Sequence, residues 1–219
     1  SGAVVVVVED GNLTVDEDIV AAGSGHVLLK SFSAIAEVNI TLNAGIDSGS
    51  GDISLLAGGS VFQAGEIQTA GGTVDIEAGT GSITMQNLVS TKSGNGHVRY
   101  LAGQDIEISS LDAGEGAISL IATTGNVVNS SNGGDGVTAN ALRIAAGGDI
   151  GSVTDLFTTS VTTLSATADG SEGIFITNSK ALTIGEVDVV TVNRVDHSAS
   201  VSDETDAATQ SDLVSTNNG

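Results

Sequence analysis

Carboxylates are the residues best placed to do chemistry in this chain, with 27 Asp+Glu against six Lys+Arg for a formal net charge of −21. Asp75 and Arg99 fall at equivalent places in neighbouring copies of a repeat, with Glu77 two residues on, and Asp105 and Glu107 follow. Clustered acids beside a basic group are what polysaccharide hydrolases and lyases use as general acid and base. A rung-to-rung ion pair on a solvated face accounts for the same residues, and the short turns leave little chain to wall a substrate groove. Calcium chemistry has its own candidates in the oxygen donors Asn132, Asp135, Asp149, Asp203 and Asp206. The run from Asn132 to Val137 misses the tandem glycine-aspartate nonapeptide of calcium-binding solenoids, so turn chemistry competes for these residues. His26 and His97 share one repeat position but lie three repeats apart, too far to share a metal, and with His197 they read as surface residues. No serine stands in a nucleophile elbow, and there is no cysteine for a disulfide, thiolate metal site or thiol nucleophile. The expectation is a chain without enzymatic activity or cofactor, calcium aside.

These residues sit on a repeat. The pattern Gly-x-aliphatic-x-apolar-x-small begins at Gly2, Gly25, Gly51, Gly72, Gly96 and Gly116, and once more at Asn140, with starts 23, 26, 21, 24, 20 and 24 residues apart. Its third position is Val4, Val27, Ile53, Val74, Val98, Ile118 and Leu142; its fifth is Val6, Leu29, Leu55, Ile76, Tyr100, Leu120 and Ile144. The position between them turns polar after two copies: Val5, Leu28, Ser54, Asp75, Arg99, Ser119 and Arg143. Alternation of period two marks a strand with one buried face. A second column follows a turn of the form Gly-Asn, Gly-Ser or Gly-Asp, as at Gly59-Ser-Val61 and Gly148-Asp-Ile150, where glycine is expected to supply a positive φ. A third column holds Ile19, Ile67, Leu88, Leu111 and Val137.

Three short strands per repeat cannot close a core alone, but stacked copies can, each strand pairing with its equivalent ~4.8 Å away. The sequence therefore predicts an all-β fold, a parallel β-helix or solenoid with three short strands per coil of about 20–26 residues. Right-handedness is the expectation from the general chirality of parallel crossovers. Eight or nine coils make a rod about 40 Å long. Aromatics at 2% suit its narrow aliphatic bore and do not suit the cross-strand pairs of a β-sandwich.

Past Gly148 the repeat blurs. Leu164 with Ala166, Ile174 with Ile176, and Leu182 with Ile184 are expected to form three strands of another coil, and Val187–Val192 one more. The domain reading is a β-helix shaft over residues 2–192, then a polar acidic loop or linker over 193–219 lying across the rod and leading to a following unit. Gly219 in the place of Gly2 of a next copy suggests one unit of a tandem array, and any export signal is expected outside this chain. Leu56, Leu101 and Ile121 align in an outward column as a partner stripe, or as packing under a neighbouring loop. Thr158, Thr159, Thr162 and Thr163 cluster without forming the flat array an ice-binding face needs.

Strings such as Gly51-Asp-Ile-Ser-Leu-Leu-Ala-Gly-Gly-Ser-Val61 and Ala141-Leu-Arg-Ile-Ala-Ala-Gly-Gly-Asp-Ile150 resemble the repeat regions of filamentous-haemagglutinin-like proteins, giant secreted bacterial adhesins. The resemblance spans about residues 2–190 and implies a β-helical shaft at the bacterial cell surface serving adhesion, aggregation or biofilm. It brings no catalytic residue with it. Expected partners are neighbouring repeat units end to end and cell-surface glycans or other cells. The acidic charge opposes nucleic acid, and no apolar run reaches the ~18 residues of a membrane-inserting span. Two alternatives remain open: a carbohydrate-binding or polysaccharide-degrading β-helix, and a calcium-stabilised extracellular module.

Overall fold

The computed structural model describes residues 2–130, 136–206 and 208–216. Of the twenty-four strands among the described residues, all but the two of an antiparallel hairpin near the C-terminus wind into a parallel β-solenoid of about eight turns. The first rung is β1–β3 (Val4–Glu9, Leu13–Val15, Ile19–Val20), the second β4–β6 (Val27–Phe32, Ile40–Leu42, Ile46–Asp47) and the third β7–β9 (Ile53–Ala57, Val61–Gln63, Ile67–Gln68). The fourth is β10–β12 (Val74–Ala78, Ile83–Met85, Ser90–Lys92) and the fifth β13–β15 (Val98–Ala102, Ile106–Ile108, Ser110–Asp112). The sixth is β16 (Ala117–Ala122), β17 (Val127–Asn129) and the start of β18 (Gly136–Ala146). At two corners the chain stops turning sharply, so β18 and β19 (Phe157–Ala168) each run from the third side of one rung into the first side of the next. The eighth rung closes through a bridge at Ile174 and β20 (Ile176–Asn178).

The pairing is the repeat made physical, except that the buried Thr91, and not Leu88, fills the third column between Ile67 and Leu111; Leu88 sits exposed in the turn before it. Val27, Ile53, Val74, Val98 and Ile118 stand in one register, as do Leu29, Leu55, Ile76, Tyr100 and Leu120. All ten point into the bore and are buried. Among the larger residues lining the bore is Tyr100, whose hydroxyl lies 2.7 Å from the Thr91 hydroxyl and donates to the Gln63 side-chain oxygen at 3.3 Å. Burial pushes this phenol well above its ordinary pKa, opposed by the Thr91 bond.

The turn motif works differently from expectation. Gly59, Gly81, Gly125 and Gly148 are absent from the positive-φ residues, and what they lack is room. A Cβ on Gly81 would stand 2.1 Å from the Ser60 hydroxyl, and one on Gly148 would stand 2.3 Å from the Asn126 side-chain oxygen. The neighbouring rung's polar side chain occupies that space to accept a backbone N–H one coil on. The Ser60 N–H donates to Asn39 (2.7 Å), Ser82 to Ser60 (3.2 Å) and Asp105 to Ser82 (3.2 Å). Asn126 donates to Asp105 (2.7 Å) and Asp149 to Asn126 (2.7 Å), extending the ladder along the corner. These bonds join residues 20 or more positions apart, not two.

The C-terminal coils also need correction. Leu164 and Ala166 belong to the first side of the eighth rung, whereas Ile174 and Ile176 lie on its second and third sides. The ninth rung begins at β21 (Thr183–Ile184), where Ile184 pairs with Leu164, and stops. After an excursion the chain returns at β24 (Leu213–Ser215), where Leu213 pairs with Ala166. Opposite Ser165, the Gly185 N–H donates to the Leu164 carbonyl (3.1 Å) and the Asp212 carbonyl accepts from the Ala166 N–H (3.0 Å). Those are the two bonds one residue would make, so residues 185–212 fill a single place in a β rung.

Val187–Val192 is therefore not a coil, and the shaft boundary expected at 192/193 cuts through β22 (Thr191–Val195). That strand pairs antiparallel with β23 (Val201–Thr205) in a hairpin that lies across the outside of the shaft. Ile76→Ala is expected to lower the unfolding free energy by about 2–5 kcal/mol, the range for emptying an aliphatic core site. Asn126→Ala is expected to cost only about 0.5–1.5 kcal/mol, since water reaches its exposed ladder bond. Urea denaturation of the two variants checks the ordering.

Candidate functional site

The outward column between the two buried ones forms a polar track up the first side of the shaft. Its members Leu28, Ser54, Asp75, Arg99, Ser119, Arg143 and Ser165 face away from the bore, yet all are buried. The hairpin and its arms cover them. We call residues 186–212 the strap. Val190, Val192 and Val195 provide its buried apolar side, and the charges beneath provide its registration.

The backbone of β22 first docks by hydrogen bonds. The Asn193 N–H donates to the Thr73 hydroxyl (2.8 Å), the Asn193 side-chain amide to Asp52 (3.2 Å) and the Val195 N–H to the Ser54 hydroxyl (2.9 Å). The chain's three arginines, Arg99, Arg143 and Arg194, then meet four carboxylates. Asp75 receives Arg99 Nη1 at 2.8 Å on one oxygen and Arg194 Nε at 2.7 Å on the other. Arg194 Nη2 also donates to Glu77 at 2.6 Å, and its Nη1 lies 3.6 Å from Glu204. Asp206, whose side chain is 0% exposed, stands 2.9 Å from Arg143 Nη1 and 3.5 Å from Arg99 Nε. Arg143 further donates to the Ala208 carbonyl (2.8 Å), and the Gln210 amide donates to the Ile144 carbonyl (2.7 Å). Burial disfavours the charge on Arg194, but the Asp75 and Glu77 contacts outweigh it and hold this guanidinium more firmly protonated than usual.

The hairpin turn is set by one side chain. Asp196 accepts from the Ser198 hydroxyl (2.6 Å) and from the N–H groups of Ser198 (2.8 Å) and Ser200 (3.0 Å). These bonds, Ser198 first, hold the Asp196 carboxyl below its ordinary range. Beside the tip, a groove of about 510 Å³ opens over rungs one to three, floored by Val7, Lys30, Phe32 and Leu56 and walled by Val195 and His197.

The expected ion pair Asp75–Arg99 thus exists, but its solvated face does not. Glu107 lies on the second side of the shaft, where partial burial and then the charge of Asp105 push its carboxyl upward. The calcium candidates are dispersed. Asn132 and Asp135 lie outside the described residues. Asp149 spends one oxygen on the N–H groups of Glu172 (2.8 Å) and Gly173 (2.7 Å), ending the corner ladder. Asp203 is exposed on β23, and Asp206 is enclosed between arginines. Among the described residues no group of three or more His, Cys, Asp or Glu is placed to hold a metal ion. The stripe is interrupted, because Glu77 stands in register between Leu56 and Leu101, with Ile121 beyond; only Leu56 of the three lines the groove.

His26 and His97 share a task the sequence did not reveal. Each accepts a next-rung N–H at Nδ1, from Asp52 (3.0 Å) and Ala117 (2.9 Å). Arg143, Arg194 and Glu204 also escaped notice as site residues. The available signal was that two of only three arginines occupy one outward column, facing a later segment that alternates valine with charge.

No protein-family model, curated protein or solved structure matches the chain.

Asp206→Ala leaves the buried Arg143 without a carboxylate partner among the described residues, takes one of several from Arg99, and is expected to weaken strap docking by about 3–5 kcal/mol. Arg194→Ala leaves Asp75 paired with Arg99 and should cost about 1.5–3 kcal/mol. Native-state hydrogen exchange of the β22 and β23 amides reads both values and their order.

Proposed function

We propose that this chain is a non-catalytic structural segment of a large secreted bacterial surface protein, a shaft that spaces or presents adhesive regions. The observation that carries the reading is the unbroken parallel ladder, rung on rung from Val4 to Ala168, over a bore of small aliphatic side chains. Such a ladder gives length and stiffness from few residue types, which is what a spacer needs. The most concentrated acid-and-arginine cluster supports the same reading, since its carboxylates are engaged in holding the strap. The outward charge elsewhere, at −21 for the chain, keeps copies apart in solution. The haemagglutinin-like repeats supply the setting at the cell surface, with neighbouring units end to end and cell-surface glycans as partners.

Two measurements on the purified chain test this. Incubation with acidic and neutral polysaccharides is expected to release no reducing ends, and the melting temperature is expected to be the same in millimolar calcium and in chelator. Depolymerisation of any substrate would make the chain an enzyme. A melting temperature raised many degrees by calcium would make it an ion-stabilised module.

A further inference from the structure

The strap leaves the shaft at its ninth rung and folds back to contact the third. Its described residues between Val187 and Gln210 lie along the outward track, placing Gln210 over rung seven, Asp206 over rungs five to seven, Arg194 over rung four and Val195 against rung three. Its contacts join residues as much as 141 positions apart. A solenoid held only by neighbouring rungs frays from its ends. The strap supplies the long-range connection such a stack lacks.

Its chemistry differs from that of the shaft it binds. The bore is mostly aliphatic, with Tyr100, Phe157, Met85 and a few uncharged polar groups, so protons in the acid range find nothing there to titrate. The strap interface alternates charge. Facing the strap are Asp52 with its neighbour His26, Asp75 and Glu77 of β10, Arg99 of β13 and Arg143 of β18. The strap contributes Arg194, Glu204 and Asp206, with Asp196 and His197 at the tip and Glu9 and Lys30 across the groove. Protonating the carboxylates would leave three arginines together without counter-charges, and an uncompensated buried ion is strongly destabilising. The Asp196 turn shifts in the same direction. Its carboxyl is held below the ordinary value, so the stability it gives is present above that value and lost as pH falls.

We propose that residues 186–212 form an acid-released electrostatic latch, docked near neutrality to tie rung three to the end of the shaft and set free on acidification from an otherwise intact solenoid. The geometry makes the two parts separable. Because Gly185 and Asp212 together satisfy the bonds of one residue opposite Ser165, removing the strap need not break the rung. The latch is a property of this chain and holds whatever the shaft carries.

Hydrogen exchange of the full chain, near neutrality and at about pH 3, below the ordinary carboxylate range, tests this once corrected for chemical exchange rates. The β22 and β23 amides are expected to lose at least tenfold in protection while those of β7, β10 and β13 keep theirs. Strap amides that stay protected, or that give way only together with the rungs, would overturn the latch. A chain lacking residues 186–212, with Gly185 joined to Leu213, is expected to keep its β-sheet circular dichroism and to show no acid step; an unfolded product would overturn separability. Neither result depends on the calcium and polysaccharide measurements, so the latch and the shaft reading fail separately.

Discussion

Parallel hydrogen bonding of each rung to the equivalent residues of the next is the constraint on which everything else here depends. It fixes a spacing of ~4.8 Å along the rod, and residues one repeat apart become nearest neighbours. Side chains in one register must then pack against copies of themselves, which favours Val, Ile and Leu inside. The backbone comes as close as its atoms allow where corners stack. A Cβ on Gly96 would fall 1.9 Å from the Gly72 carbonyl oxygen, and the glycines opening the second to sixth repeats all serve such a close approach of backbones. The same spacing turns Asn39, Ser60, Ser82, Asp105 and Asn126 into a chain of acceptors, each taking a neighbouring rung's N–H. His26 and His97 repeat that device at another corner.

The strap depends on the ladder in turn. Only a registered stack places Asp75, Arg99 and Arg143 in one line, and only such a line can be read by a segment carrying Arg194, Glu204 and Asp206. Burying so many charges yields little net stability compared with an apolar surface of similar shape. What it gives is a unique position, because a shift by one rung would bring Arg194 against Arg99. Two valine-bearing strands alone would slide.

The bore was legible in the sequence because its information is local and repeated. Val74 and Ile76 announce a strand within three residues, and the next copy announces the same strand again. The first side of the shaft and most of the second were therefore predictable position by position. What escaped was whatever one residue does for another far along the chain. Asp149 looks like a turn or metal ligand until the N–H groups of Glu172 and Gly173 are seen beneath it. Gly59 suggests a positive φ, whereas the Asn39 side chain excludes any Cβ there. The strap was the largest loss. Its Ser, Thr and Asp content reads as linker, because its valines and its arginine acquire meaning only against a track more than 100 residues earlier.

The central claim is that each rung bonds to the equivalent residues one repeat away. Scalar couplings across hydrogen bonds in the labelled, deuterated chain measure this directly. The account predicts couplings from the Val27 amide to the Asp52 carbonyl, from Ile53 to Thr73 and from Val74 to His97. Couplings that instead join adjacent strands of one repeat, in the alternating pattern of antiparallel hairpins, would contradict it.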